Sequence, residues 1–269
     1  MTRRTAAVKG HGGSLSLLQI TDLHLQPDHG ARLLGVDTAA SLDAVLHAAL
    51  SQRRADALIV TGDIAHSASE ATYARARAAI AAHFHGPALW LAGNHDLGAP
   101  LRAIAPTGDV LKLGDWDVVT IDTHVDGAEG GMVAETELVR LRERLAGSSA
   151  RHVIVAGHHP PLPLGTPWLD GGCIGNGVAL LEALCADARV KAYVSGHVHQ
   201  ETATRYRALQ LLTTPSTCFQ FVPATLRFSV DATPPGWRWL DLAGDGTLTT
   251  RIGRADDFAV TLDLSGFKH

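Results

Sequence analysis

The chain has 269 residues, enough for one large domain or two small ones with a real hydrophobic core. Its net charge of −4 argues against a nucleic-acid binder that depends on electrostatic attraction. Three widely spaced cysteines, Cys173, Cys185 and Cys218, exclude a disulfide framework and a cysteine-based zinc site. No apolar run is long enough to cross a bilayer, so we expect a cytoplasmic protein without nucleic-acid or membrane partners.

Basic residues mark the first segment of the chain, residues 1–13, and no apolar stretch of a signal peptide follows them. We expect this segment to be a disordered tail and residues 14–269 to form a single domain. Apolar runs of strand length then alternate with helical patterns. The runs are Leu15–Ile20, Ala57–Val60, Ala88–Leu91, Val118–Ile121, Val153–Ala156 and Val190–Val194.

Helical spacing of apolar residues separates these runs. We expect Asp37 or Thr38 to cap the first helix, and Ser67 with Glu70 to form a capping box before the second. Strands and turns follow Gln200 and end in a C-terminal β hairpin, so the order of elements predicts an α/β domain. The predicted helices cover Leu42–Leu50, residues 70 to about 82, Leu138–Leu145 and Val178–Leu184, and the late strands cover Thr202–Arg207, Leu209–Thr213, Trp237–Leu242 and Leu248–Ile252.

Five of the apolar runs are followed by the polar groups given below, at the carboxyl end of the strand where open α/β sheets bind ligands. One such residue alone is usually a helix cap or a turn residue, but five with the same direction favour a shared site. Four of the five groups include a glycine that allows close backbone approach. The polar residues are Asp22 and His24, Asp63, Asn94 with His95 and Asp96, His158 with His159, and His197 with His199.

The chemistry of these side chains indicates a metal site. In Asp22-x-His24 and His197-x-His199, the spacing of an extended segment points both side chains to the same side. Carboxylate, amide and imidazole ligands without thiolate suit manganese, iron, zinc or cobalt. Seven ligands are too many for one tetrahedral ion and suit two ions that share a carboxylate.

These motifs resemble, in order and spacing, the signature of the calcineurin-like metallophosphoesterases. Further segments resemble one branch of that family, the bacterial class III 3′,5′-cyclic AMP phosphodiesterases, and the resemblance covers about residues 15–252. The family motifs are Asp22-x-His24, Gly62-Asp63, Gly93-Asn94-His95-Asp96, Gly157-His158-His159-Pro160 and Gly196-His197-x-His199, and the branch-like segments are Leu34–Asp37, Trp168–Asp170, Thr214–Phe221 and Pro235–Arg238.

The resemblance implies a four-layer αββα sandwich of two mixed β-sheets with a dimetal site at its edge. Iron or manganese ranks ahead of zinc or cobalt as the metal. The resemblance assigns Asp22, His24, Asp63 and His199 to the first ion, and Asp63, Asn94, His158 and His197 to the second.

The resemblance also makes His95 the catalytic histidine, and it places His24, Asn94, His95 and His199 against the substrate phosphate. One position departs from the family, because Ser67 replaces an acidic residue that members often have four positions after the bridging aspartate. Asp96 is therefore our candidate for the residue that orients His95. His159 could support His158 or be structural, and His66 matches no motif.

The predicted function is hydrolysis of 3′,5′-cyclic AMP to 5′-AMP by a metal-bridging hydroxide. Other cyclic nucleotides are further candidate substrates. His95 would protonate the leaving 3′ oxygen. The alternative on the same scaffold is a phosphodiesterase or pyrophosphatase of broader specificity, acting on 2′,3′-cyclic nucleotides or generic phosphodiesters. A non-catalytic scaffold is disfavoured because every ligand is retained. Core packing is the favoured interpretation for Trp168 and Phe219, with contact to a purine base as the alternative.

Overall fold

A computed structural model describes residues 6–8 and 13–265 of the chain. The helices are α1 Thr38–Gln52, α2 Glu70–His83, α3 Gly98–Ile104, α4 Glu135–Gly147 and α5 Gly177–Cys185. The strands are β1 Ala6–Val8, β2 Leu15–Ile20, β3 Arg32–Leu33, β4 Val36–Asp37, β5 Ala57–Thr61, β6 Ala88–Leu91, β7 Val110–Leu113, β8 Trp116–Thr120, β9 His152–Ala156, β10 Val190–Ser195, β11 Thr202–Tyr206, β12 Leu209–Thr213, β13 Gln220–Phe221, β14 Val230–Asp231, β15 Gly236–Leu242 and β16 Leu248–Arg254.

Two mixed sheets form the centre of the fold. The five-stranded sheet has the order β16-β15-β2-β5-β6, in which β2, β5 and β6 run parallel. The seven-stranded sheet has the order β1-β7-β8-β9-β10-β12-β11, in which β8, β9, β10 and β12 run parallel. The predicted C-terminal hairpin, β15–β16, is present and joins the five-stranded sheet through β2.

Successive side chains of a strand point to opposite faces of its sheet, and this alternation explains the four layers. Leu17 of β2 packs between the two sheets, whereas its neighbour Leu18 packs on the outer face against α1. Helices α1, α2 and α3 share that outer core, and α4 and α5 cover the outer face of the other sheet through residues such as Leu141 and Leu181. The predicted αββα sandwich is confirmed.

The tail predicted over residues 1–13 falls mostly outside the described residues. Ala6–Val8, which belong to this segment, pair in parallel with residues of Val110–Leu113 at the edge of the seven-stranded sheet. An open strand edge presents unpaired backbone groups that a short segment can satisfy.

The helix caps partly match the sequence patterns. Asp37 caps α1 by accepting hydrogen bonds from the backbone N–H groups of Ala39 and Ala40, as predicted. The capping box from Ser67 to Glu70 is wrong, because Ser69 is the cap of α2 and its hydroxyl accepts from the Thr72 N–H. Serine at either position satisfies the same rule, so the pattern did not distinguish them. Helix α3 and strands β1, β3, β4, β7, β13 and β14 were not predicted.

No helix among the residues that the structure describes is both long and apolar enough to cross a membrane.

Candidate metal centre

The seven predicted ligands meet where the two sheets adjoin. The loops after β2, β5 and β6 carry the ligands of one sheet, and the loops after β9 and β10 carry those of the other. Backbone hydrogen bonds connect these loops, including Asp22 N–H to the Gly62 carbonyl at 3.0 Å and Gly196 N–H to the His158 carbonyl at 3.0 Å. Strand order therefore brings together ligands that are far apart in sequence.

The backbone at the site lies in an unusual conformation. Among the described non-glycine residues, eight have a positive φ, and five of these are predicted ligands. Such conformations cost free energy for residues with a Cβ and persist where the surrounding structure enforces them, often at functional sites. The five are Asp22, His24, Asp63, His197 and His199, with φ between 43° and 67°.

Glycine is required beside two of the ligands. A Cβ on Gly93 would overlap the Asp63 carboxylate, and a Cβ on Gly196 would crowd the carboxylate of Asp22. The absence of a side chain at each position therefore lets the two halves of the site approach each other.

Asp63 lies between two groups of ligands. Its Oδ2 atom is 3.5 Å from Nε2 of His24 and 3.4 Å from Nε2 of His158. On the first side, His24 Nε2 is 3.2 Å from His199 Nε2, which is 3.6 Å from Asp22 Oδ1. A single oxygen of Asp63 thus lies within 3.5 Å of a ring nitrogen on each side, which fits the predicted bridging ligand.

The second group converges on Asn94. Its Oδ1 atom is 3.0 Å from Nε2 of His158 and 3.0 Å from Nδ1 of His197. Ligands bonded at about 2.1 Å to one ion lie about 3.0–3.4 Å apart in octahedral or tetrahedral geometry. The separations in both groups are close to this range, so the donor atoms fit two ions.

Metal binding requires neutral imidazoles and ionised carboxylates, and the pKa values of four ligands favour these states, whereas Asp63 outweighs burial and raises the pKa of His158 to about 9. Burial lowers the pKa of His24 and His197 well below the ordinary value and that of His199 to about 3. Burial alone would raise the pKa of Asp63, but the adjacent His158 outweighs it and holds that pKa well below its usual range.

Hydrogen bonds fix the orientation of two of the ligand rings. Nδ1 of His158 donates to the Thr61 carbonyl at 2.7 Å, and Nδ1 of His199 donates to the Phe219 carbonyl at 2.8 Å. Because a carbonyl only accepts, Nδ1 carries the proton in each ring and Nε2 remains free to bind a metal.

The predicted catalytic residue His95 and the ligand Asn94 are half-buried, whereas the remaining six predicted ligands are buried. The His95 N–H donates to Oδ1 of Asp63 at 3.0 Å, and its Nδ1 donates to the carbonyl of His66 at 3.2 Å. Nε2 of His95 is therefore the nitrogen available to a substrate.

Asp96, our candidate for the residue that orients His95, has its carboxylate directed toward backbone groups. The buried Asp96 carboxylate accepts from the backbone N–H groups of Gly93, Ile64 and Ala65 at 2.9–3.2 Å, which ties the β6 loop to the β5 loop. Sequence reasoning missed the orienting group because it is the backbone carbonyl of His66, which carries no residue-type signal.

The contacts of His159 fit a structural role, one of the two alternatives that the sequence left open. Its Nδ1 contacts the hydroxyl of Thr123 at 2.7 Å and its Nε2 contacts the Glu129 carbonyl at 3.1 Å. Both ring nitrogens are therefore engaged by neighbouring groups and neither is free for a metal.

Comparison with known proteins agrees with this geometry. The model of the calcineurin-like phosphoesterase family matches residues 15–201. The chain belongs to this family. The match spans all five loops that carry the predicted ligands, so the resemblance in the motifs is confirmed.

Relatives of the chain extend the family match over nearly its whole length. It is 38% identical over 261 residues to the 3′,5′-cyclic adenosine monophosphate phosphodiesterase CpdA of Pseudomonas aeruginosa, covering 94% of this chain and 96% of that protein. It is 39% identical over 248 residues to CpdA of Escherichia coli K12, covering 90% of each.

The same fold is found in a solved structure of low sequence identity. The structure of purple acid phosphatase PPD1 from yellow lupin superposes with a TM-score of 0.67 at 13% identity. The superposition covers 96% of this chain and 54% of that one, and it shows that the two proteins share a fold.

Proposed function

We propose that this protein hydrolyses 3′,5′-cyclic AMP to 5′-AMP at a dimetal centre. The observation that carries the proposal is the pair of ligand groups on either side of Asp63, each with atom separations that fit one ion. The relatives that share 38–39% identity over nine-tenths of the chain are cyclic AMP phosphodiesterases, which supports the choice of substrate.

Two ions would supply Lewis acidity toward the phosphate oxygens and a water molecule of lowered pKa. The chain would hold the first ion with Asp22, His24 and His199, the second with Asn94, His158 and His197, and both with Asp63. Nitrogen and oxygen ligands suit iron or manganese, and also zinc or cobalt.

The half-buried residues are the ones that reach the substrate. We assign Asn94 and His95 to the phosphate, with His24 and His199 beside them. The ring of His24 lies edge-on to that of His95 at 4.8 Å, so a phosphate near the ions also lies near His95.

His95 supplies the proton that the leaving group needs. Water adds to phosphorus and releases one proton to solvent, and the bond from phosphorus to the 3′ oxygen breaks. Nε2 of the His95 imidazolium gives its proton to that oxygen, and the ring regains a proton from solvent. The His66 carbonyl keeps the proton on Nδ1 in place, so Nε2 faces the substrate throughout.

Turnover of four substrates by enzyme of defined metal content tests this proposal: cyclic AMP, cyclic GMP, 2′,3′-cyclic AMP and bis(p-nitrophenyl) phosphate. We expect the highest kcat/KM for cyclic AMP. A value for cyclic AMP no better than for the generic diester would replace this function with a phosphodiesterase of broad specificity.

A further inference from the structure

An aromatic wall extends outward from the proposed metal ligand His199. We define it as Phe221, Trp168 and Phe228. The ring of Phe221 stacks on His199 with centroids 4.4 Å apart and planes 24° apart. Trp168 then packs edge-on against Phe221 at 5.0 Å, and Phe228 lies 5.2 Å from Trp168 and 5.7 Å from Phe221.

The wall is built on a short hairpin and one loop. Phe221 is the last residue of β13, and Phe228 lies two residues before β14. Strands β13 and β14 pair with each other. The indole N–H of Trp168 donates to the Thr225 hydroxyl at 3.1 Å, so the ring is held in place and its one polar group is satisfied by the protein.

The exposure of the wall differs from that of a core cluster. Phe219, which also contacts His199, is buried, whereas all three rings of the wall are half-buried. Leu226 at the tip of the same hairpin is 80% exposed. Aromatic surface that remains accessible next to a phosphate site suits a ligand with a flat apolar part.

We propose that this wall binds the purine base of the cyclic nucleotide, an inference that rests on the proposed function. In a cyclic nucleotide the ribose separates the phosphate from the base by one ring. The wall has the same arrangement, because Phe221 lies between His199 and the two outer rings, Trp168 and Phe228. Stacking on such rings is favourable for any base face and needs no hydrogen bond.

Direct binding of two ligands that differ in the base tests the inference. We would titrate metal-loaded wild-type enzyme with 5′-AMP and with ribose 5-phosphate in a calorimeter. The variants Trp168→Leu and Phe228→Leu remove an aromatic ring and keep apolar volume, and Phe84→Leu makes the same change at a half-buried ring at the end of α2 as a matched control.

We expect each wall variant to raise the Kd of 5′-AMP by about tenfold, a typical effect of losing one stacked ring. The Kd of ribose 5-phosphate should stay within about twofold, and the control should change neither ligand. Equal weakening of both ligands, or an unchanged Kd for 5′-AMP in both wall variants, would overturn the inference.

The outcome is separable from that of the proposed function. Absence of cyclic AMP turnover by the metal-loaded wild-type enzyme would contradict the proposed function, whereas the ratio of the two Kd values reports on the wall alone. Thermal unfolding of each variant, measured beside the titration, identifies a loss of affinity that comes from unfolding.

Discussion

Two buried polar regions of this molecule are organised in opposite ways. Arg238 is only 3% exposed, and neutral protein groups accept its hydrogen bonds. Its guanidinium donates to the hydroxyls of Thr214 and Thr250 and to the carbonyls of Thr202 and Thr213, at 2.7–3.2 Å. Burial lowers its pKa to about 10, which still leaves it charged at neutral pH.

The ligand cluster has no such complement. Asp22 is fully buried, and burial raises its pKa to about 7 even though its carboxylate accepts from the His197 backbone N–H. Nε2 of His24 faces Nε2 of His199, and Oδ1 of Asn94 faces ring nitrogens of His158 and His197, so these ligand atoms face one another. The buried charge of Arg238 is therefore stabilised by hydrogen bonds to protein groups, whereas the ligand cluster needs bound ions to balance its charges and ligand atoms.

Removing the bridging ligand should have the largest effect. Asp63→Asn replaces the carboxylate that contacts both ligand groups, so we expect metal binding to be lost. Activity should fall by more than about 10⁴-fold, since enzymes accelerate reactions by at least about 10⁶-fold. Elemental analysis and cyclic AMP turnover check this, and retention of two ions per chain would contradict the bridging role.

His95→Ala separates catalysis from metal binding. The ring contributes none of the predicted ligand atoms, so metal content should remain that of the wild-type enzyme. Turnover should fall by about 10²–10⁴-fold, the usual effect of losing a general acid. Measured kcat equal to that of the wild-type enzyme would remove His95 from the mechanism.

Arg238→Met tests the structural side of the comparison. The buried carbonyls of Thr202 and Thr213 would lose a donor, and we expect the free energy of unfolding to fall by about 2–3 kcal/mol. Metal content should not change, because no ligand is touched. Denaturant unfolding gives the first quantity, and a loss of metal from folded protein would show that the two regions are not independent.

His66→Ala should have the smallest effect. The group that orients His95 is the backbone carbonyl of residue 66, which alanine retains. We therefore expect kcat to stay within about tenfold of the wild-type value, below the effect expected of losing a catalytic acid. A decrease as large as that of His95→Ala would assign the orienting role to the imidazole, which stacks on His95 at 5.0 Å.

The parts of the molecule that the sequence predicted share one physical basis. Apolar runs such as Leu15–Ile20 and Ala88–Leu91 are strands with the predicted bounds, because continuous burial leaves a clear pattern. The seven predicted ligands converge because each follows such a strand, and the carboxyl ends of these strands meet at one edge.

The parts that were missed depend on contacts that residue type does not encode. Asp96 is next to His95 in sequence, yet its side chain points to three backbone N–H groups on two loops. The strands β13 and β14 are two residues each, too short for an alternating pattern, and they assemble the aromatic wall through long-range packing.

A metal titration tests the central claim most directly. Metal-free enzyme would receive increasing amounts of manganese or iron while bound metal per chain and cyclic AMP turnover are measured on the same samples. We predict that activity is absent without metal and rises until two ions are bound per chain. Full activity in the metal-free enzyme, or activity that reaches its maximum at one ion per chain, would contradict a dimetal phosphodiesterase.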